Sequence, residues 1–540
     1  MAHFPIIAAM LLATSTIAAA AAAEPNFSPD RLRADISFLG DDLLEGRETG
    51  TRGHEIAARF VAVRFAALGL TPTAGRGWFQ PIALTRATND PAAPSSIGFA
   101  GRRFVDGDHA ILSPPATAKP VSGEAGAVFV GYGLEEKAFG LDDYRGLDLN
   151  GKIAVALRGT PTGLPSEIAA TLNATKADIA ARHGAVGLIT VATPAALART
   201  PWAKAVAARN LAQMQWLRPD GRANSDNPKL ILNAYLDPVA TDLLFAATPL
   251  ANGGIARAIS DRSQRPRGFA LPGRIRVDRR GKITSAHSEN VVALLAGSDP
   301  RLAKEVIILS AHLDHLGLVP PNAKGDGIMN GVLDNAAGVA TILEVARAFV
   351  DSGRAPRRSI LFVALTGEEK GELGSDYLAH YPLLKGKAVV ADLNLDMPIL
   401  TYDFQDVVAY GAEHSTIQPA VARAAAAMGL RLSPDPEPDQ NRFTRSDQFS
   451  FVQAGIPSAV IKTGWAGPGR AAVQDFVAHH YHDVSDDLSG PIDWRAAAKF
   501  ARLNYLVARD LADGADTPRW YAGDWFGNRY APRARQAKRP

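Results

Sequence analysis

The chain has no cysteine among its 540 residues. Disulfides and thiolate metal ligands are therefore excluded, and any metal must be held by histidine and carboxylate. It also lacks a dominant charge, since 58 basic side chains face 55 acidic ones for a net +3. That balance argues neither for a nucleic-acid partner nor for an acidic surface, and no nucleic-acid partner is expected. Past the N-terminal segment there is no run of roughly 18 apolar residues, so no membrane-spanning helix is expected. No internal repeat is visible. Apolar residues make up 47% of the chain, which leaves ample material for cores, and the length exceeds one typical domain, so two are expected.

The N-terminus carries an alanine-rich apolar run over residues 4–23, and the small residues at 21–23 before Glu24 suit a signal-peptidase site. The n-region departs from the usual pattern in having only His3. The expectation is a signal peptide over 1–23 and an exported protein, in a bacterial periplasm or outside the cell, with no stable membrane insertion after cleavage. The absence of cysteine points to the bacterial setting.

Apolar residues at helical spacing mark 30–44 and 56–68, the second closed by Gly69, with the turn EGRETGTRG between them. The proline-rich stretch SPPATAKP at 113–120 reads as a boundary. A β-rich block follows, with strands expected at 127–133, 152–159 and 185–192 and a helical stretch at 166–183. It ends in the polar, arginine-rich linker DRSQRPRGFALPG at 261–273. Beyond the linker, apolar strands at 288–296, 305–310, 358–365, 388–395 and 457–463 alternate with helical patterns at 335–350, 371–380, 416–429 and 494–512. Short continuous apolar strands between helices imply an α/β architecture, a mostly parallel (mixed) sheet flanked by helices. The residues from about Thr517 mix aromatics with arginine and lysine; they form either a disordered tail or a strap docked by Trp520, Trp525 and Phe526.

The most informative stretch is AHLDHLG at 311–317, just past the β-branched run Val306, Ile307, Ile308 and Leu309. It supplies His312 and Asp314. Later segments add Asp334 in NGVLDNAAGVA, Glu368 and Glu369 in LTGEEKGELGS, Asp396 in LNLDMP and His482 in YHDVSDD. Most of these follow expected strands at their carboxyl ends, where an open α/β sheet carries its chemistry. Taken alone, a histidine after a strand is more often a packed or surface histidine, and paired glutamates before a glycine are usually a solvated turn. Together they supply what a pair of divalent cations needs to turn water into a nucleophile at neutral pH, and the chain reads as a metal-dependent hydrolase.

The same motifs, with DDLLEGRETGTRG, GWFQPI (77–82) and FTRSDQFSFVQAGIP (443–457), resemble the co-catalytic di-zinc aminopeptidase family, family 28 of the metallopeptidases. Glutamate carboxypeptidases and the transferrin receptor belong to the wider superfamily. The resemblance implies a zinc-exopeptidase-like fold with a β-rich protease-associated domain inserted at 121–270. Peptidase segments would then occupy 24–120 and 271–515, and 516–540 would form a C-terminal tail. It also implies two zinc ions per chain and peptide substrates. His312 and Asp396 would bind one zinc, Glu369 and His482 the other, and Asp334 both. Glu368 would be the general base, close to the metals without being consumed as a ligand. Asp314 would lie behind the His312 imidazole and fix its orientation. His315 is expected to be structural, and His482 is preferred to His479 and His480 because YHDVSDD matches the family's tyrosine–histidine element. Asp447 either borders the substrate pocket or hydrogen-bonds its loop. Gln448 stands where relatives often have histidine, a departure expected to touch the pocket rim.

The implied reaction is removal of N-terminal residues from peptides. Arg442 and Arg445 keep a carboxypeptidase or dipeptidase in view, because carboxylate recognition wants arginine at the rim. A single-zinc glutaminyl cyclase, or a receptor-like scaffold without activity, would be marked by lost ligands, and none is lost here.

Overall fold

The computed structural model describes residues 24–73, 77–117, 119–209, 211–224, 230–260 and 265–540; the segment expected to be a signal peptide lies outside the described residues. Two helices come first, α1 (Pro29–Leu39) and α2 (Arg52–Ala67). Ser28 and Thr51 cap them, each accepting from a backbone N–H in the first turn. The expected helix 30–44 stops at Leu39 because Gly40 ends it, and a tight turn with left-handed backbone at Glu45 and Gly46 takes over.

A nine-stranded sheet forms the main body. Its strands are β1 (Phe79–Asn89), β2 (Gln213–Trp216), β3 (Gly281–Leu295), β4 (Glu305–His312), β5 (Ser359–Leu365), β6 (Ala388–Asn394), β7 (Asp406–Tyr410), β8 (Arg431–Ser433) and β9 (Ser458–Thr463). The spatial order is β2-β1-β3-β5-β4-β6-β9-β7-β8. The four central strands, β5-β4-β6-β9, run parallel, and antiparallel pairings join β2, β1 and β3 on one side and β7 on the other. The sheet is therefore mixed, parallel at its helix-covered centre and again in the edge pair β7-β8.

The alternation along β4 shows why. Ile307, Leu309 and Ala311 face a core shared with α1, α2, α3 (Ala337–Asp351) and α7 (Trp494–Asp513). Val306 and Ile308 face the opposite core with Leu378 of α4 (Leu373–His380) and Phe451. The remaining helices used below are α5 (Ile417–Ala427) and α6 (Gly469–His479).

A second sheet, of eight strands, gathers 102–105, 96–99, 269–279, 121–129, 153–157, 187–191, 232–236 and 110–112 in that order. It begins ahead of position 121. The segment Phe269–Arg279, which begins inside the expected linker 261–273, is one of its strands and pairs antiparallel with Val121–Phe129. Leu271, Ile275 and Val277 bury its apolar side, a pattern broken in the sequence by the register shift between Leu271 and Ile275. The expected helix 166–183 is two helices, 166–174 and 176–182. The chain enters this module after Asn89 and leaves it finally at Gly281, residues that face each other across β1 and β3; in between it crosses back once to add β2 to the edge of the main sheet.

The C-terminal residues are a docked strap. Trp520, Tyr521 and Phe526 are buried, and Trp520 Nε1 donates to the Gly455 carbonyl at 2.8 Å. Among the described residues no helix is long and apolar enough to cross a membrane.

Candidate metal centre

The parallel register of the central strands brings their carboxyl ends to one place. His312 is the last residue of β4, Asp396 lies two residues past β6, and Glu368 and Glu369 follow β5. Asp334 sits in the irregular turn Val332–Ala336 that leads into α3. Asn335 ties that turn to the end of β6: its Nδ2 donates to the Leu395 carbonyl at 2.9 Å, and its Oδ1 accepts from the backbone N–H groups of Gly338 and Met397 at 3.1 Å. Only glycine fits at 338, since a Cβ there would stand 2.1 Å from Asn335 Oδ1 and 2.4 Å from the Leu395 carbonyl oxygen. Asp486 holds the other side, accepting from the N–H groups of Leu333 and Asp334 at 2.9 and 3.0 Å. His482 comes from the loop after α6, on left-handed backbone with φ 56°.

Asp334 stands between the two imidazoles. Its Oδ1 is 3.2 Å from His312 Nε2 and its Oδ2 is 3.4 Å from His482 Nε2. His312 Nε2 also lies 3.4 Å from Asp396 Oδ1, and His482 Nε2 lies 3.3 Å from Glu369 Oε2. One carboxylate thus serves two clusters, one with His312 and Asp396, the other with Glu369, His482 and His315. The neighbours weighed against His482 point elsewhere: His479 bonds Asp475, and His480 bonds Ser485.

The charges suit divalent cations. Against burial, the imidazoles of His312 and His482 hold the Asp334 carboxyl well below the usual carboxylate range. Glu369 is held at about 2 in spite of its burial, by His315 and His482. In return, although burial opposes it, Asp334 and Glu369 lift His482 to about 10. Glu369 Oε1 is buried with no hydrogen-bond partner. Nitrogen and carboxylate donors with an excess of anions are a donor set that fits zinc. Glu368 differs from these acids: burial first, then Glu369, Asp396 and Asp447, push its carboxyl well above the ordinary range. A carboxyl raised in this way is suited to proton transfer.

Four residues sit differently from the sequence expectation. Asp314 does not hold the His312 ring through its carboxylate; the tight turn brings its own backbone carbonyl to His312 Nδ1, at 3.1 Å. The carboxylate instead accepts from Thr49 Oγ1 at 2.8 Å and from the Glu368 N–H at 3.2 Å. His315 is buried with Nδ1 2.7 Å from Glu369 Oε1, off the hydrogen-bonding direction, so it belongs to the Asp334–Glu369 cluster. Asp447 neither lines the cavity nor bonds its loop: it is turned inward at the start of the helix 448–453, fully buried, its carboxyl pushed by burial to about 7. Gln448 is inside as well, accepting from Asn394 Nδ2 at 2.9 Å and donating to the Phe443 carbonyl at 2.7 Å.

A cavity of about 250 Å³ opens over the centre. His312, Asp334, Glu368, Asp396 and His482 line it, with Met397, Trp465, Val473, Val477 and Tyr481 as apolar wall and Glu437, Arg442, Arg445 and Lys462 as charged wall. Neither Lys462 nor Glu437 stands out in the sequence, because a lone charge in a strand or a loop carries no spacing signal. Arg47 within EGRETG is equally silent in the sequence. Buried in full, Arg47 donates to the carbonyls of Leu313, Asn330 and Gly331 at 2.9, 2.6 and 3.0 Å and fastens the histidine loop to the Asp334 turn.

Residues 290–508 match the model of Peptidase family M28. The chain is 34% identical over 116 residues to the vacuolar membrane protease of Yarrowia lipolytica, covering 22% of this chain and 10% of that protein. It is 29% identical over 251 residues to leupeptin-inactivating enzyme 1 of Streptomyces exfoliatus, covering 44% and 50%. The chain thus spans half or less of the length of these curated relatives. Among solved structures, the aminopeptidase from Aneurinibacillus sp. strain AM-1 is similar over 91% of this chain and 96% of that one, with 20% identity and a TM-score of 0.51, a likeness of fold.

Proposed function

We propose, from the match of residues 290–508 to the model of peptidase family M28, that the protein is a zinc-dependent exopeptidase that removes N-terminal residues from peptides. In this reading two zinc ions are held per chain, one by His312 and Asp396, the other by Glu369 and His482, with Asp334 shared. Bound zinc would supply Lewis acidity, polarising the scissile carbonyl and acidifying a water. Glu368 takes the proton from the attacking water and passes it to the leaving amine, which forms as the C–N bond breaks. Asp314 positions that base through the Glu368 N–H rather than through His312. The apolar wall of Met397, Trp465 and Tyr481 excludes water from the reacting bond and receives substrate side chains.

The observation that carries the reading is the shared Asp334 carboxylate between two histidine–acid clusters, with Glu368 beside them. The module of the second sheet, the protease-associated insert of this reading, restricts the cavity to chain ends. Its helix 166–174 packs on the segments 438–440 and 442–444 beside the cavity, which supports that role. Export through the N-terminal segment belongs to the same proposal. A carboxypeptidase or dipeptidase is the second reading, favoured by Arg442 and Arg445 in the cavity wall.

The test is hydrolysis of aminoacyl anilides with free and blocked N-termini by wild type and Glu368→Gln, with bound zinc measured in parallel. Cleavage of unblocked substrates only, reduced about 10²–10⁴-fold in a variant that keeps its metal, is the expected result. A metal-loaded wild type that leaves every free-amine substrate intact overturns the aminopeptidase reading.

A further inference from the structure

Apart from the acids of the metal centre and Glu368, the cavity wall holds three cations, Lys462, Arg442 and Arg445, against a single acid, Glu437. Glu437 is already engaged, its Oε2 accepting from Arg442 Nη2 at 2.7 Å. Arg442 is fixed further by the rings of Tyr410 and Trp465, with centroids 6.0 and 5.9 Å away, yet its Nη1 is buried without an acceptor. Lys462 is the more telling case. It stands on the rigid strand β9, its side chain only 14% exposed, and among the described residues its ammonium makes no hydrogen bond; the nearest acid oxygen is Asp396 Oδ2 at 4.0 Å. Withdrawing an ammonium from water without a hydrogen-bonded partner is costly, and a carboxylate ligand offsets that cost.

We propose that Lys462 receives a carboxylate of the substrate, which makes the enzyme selective for substrates that carry an anion next to the scissile bond. This rests on the peptidase reading of the centre. Lys462 is adjacent to Asp396, so the group it meets belongs to the part of the substrate at the metals. Such a carboxylate has two sources: the side chain of an acidic N-terminal residue, or the free C-terminus of a dipeptide. Both present the same planar anion to the same ammonium.

Two pairs of substrates separate the sources, with kcat/KM measured for metal-loaded wild type, Lys462→Met, Lys462→Gln and Lys462→Arg, and zinc content determined for each. Glutamyl anilide against leucyl anilide reads the side chain; Leu-Leu against Leu-Leu amide reads the C-terminus. One of the two ratios is expected to favour the anionic member by at least about tenfold, the strength of one charged hydrogen bond. That ratio should collapse toward one in the methionine and glutamine variants and persist in the arginine variant. Ratios near one in wild type overturn the proposal, as do ratios that survive removal of the ammonium. In either case cleavage of leucyl anilide leaves the aminopeptidase reading standing. If no free-amine substrate is cleaved at all, that reading fails and this inference falls with it.

Discussion

His414 joins three parts of the molecule that are distant in sequence. It lies just after β7, its Nδ1 is 2.7 Å from Asp524 Oδ2 in the C-terminal strap, and its Nε2 is 3.0 Å from Glu167 Oε2 in the second-sheet module. The side chain is 16% exposed and that of Asp524 4%. Burial would lower the imidazole pKa, but the two carboxylates outweigh it and raise the ring to about 10. From the ordinary value of 6.5, that corresponds to roughly 4–5 kcal/mol of preference for the charged ring in the folded state, an upper figure. Removing one partner of a buried pair costs a similar 3–5 kcal/mol or so, since the acids left behind lose their counter-charge. The sign follows from the direction of the shift. A group raised on folding contributes fully below its unfolded pKa, so the contribution is complete below about pH 6.5 and is lost as pH rises to about 10. His414→Gln is therefore expected to destabilise the protein by about 3–5 kcal/mol at pH 6 and by much less at pH 10. Denaturant unfolding of both proteins at several pH values gives the difference directly. A difference that stays constant across that range, or never exceeds about 0.5 kcal/mol, refutes the reasoning.

Two further outcomes are expected at the metal centre. Gly338→Ala drives a methyl into Asn335 and the Leu395 carbonyl; loss of about 2 kcal/mol or more of stability together with loss of bound zinc is the expected result, checked by melting and metal analysis. Asp486→Asn weakens the support of the Leu333 and Asp334 N–H groups, so zinc affinity measured by competition with a chelator should fall about 10–100-fold while Glu368 is untouched.

The catalytic half was legible because its signals are periodic and local. Continuous apolar strands, caps and the acid–histidine motifs at strand ends all survive in the linear order, and the strands β4, β5, β6 and β9 lie within a residue or two of expectation. The second sheet was less so. Its strands at 96–99, 102–105 and 110–112 are too short to show a period, and Phe269–Arg279 hides its apolar face behind arginines and a register shift. Helix α6 escaped because GRAAVQDFVAH opens on glycine and arginine rather than on a cap. Within the site, residue types were readable but directions were not. Which face Asp447 takes, and whether the Asp314 carboxylate or its carbonyl meets His312, depends on turn geometry that the motif does not encode. Arg47 and His414 act through partners far along the chain, and no local pattern announces such pairs.

The pairing of Asn89 with Gly281 sets an order of events during synthesis. As the chain leaves the ribosome β1 is complete early, yet its partner strand β3 emerges only after the whole second-sheet module has been made. The helices α1 and α2 wait longer, since α3 and, later still, α7 supply the surfaces they cover. Such distant contacts close slowly, and for that interval the first apolar segments stand exposed to aggregation and to chaperones. The core of the second sheet waits as well, since Tyr410, Phe443, Phe449 and, in the strap, Trp520 and Phe526 pack into it. The centre itself closes late, because its final histidine is made long after the others and the strap that fixes His414 comes last.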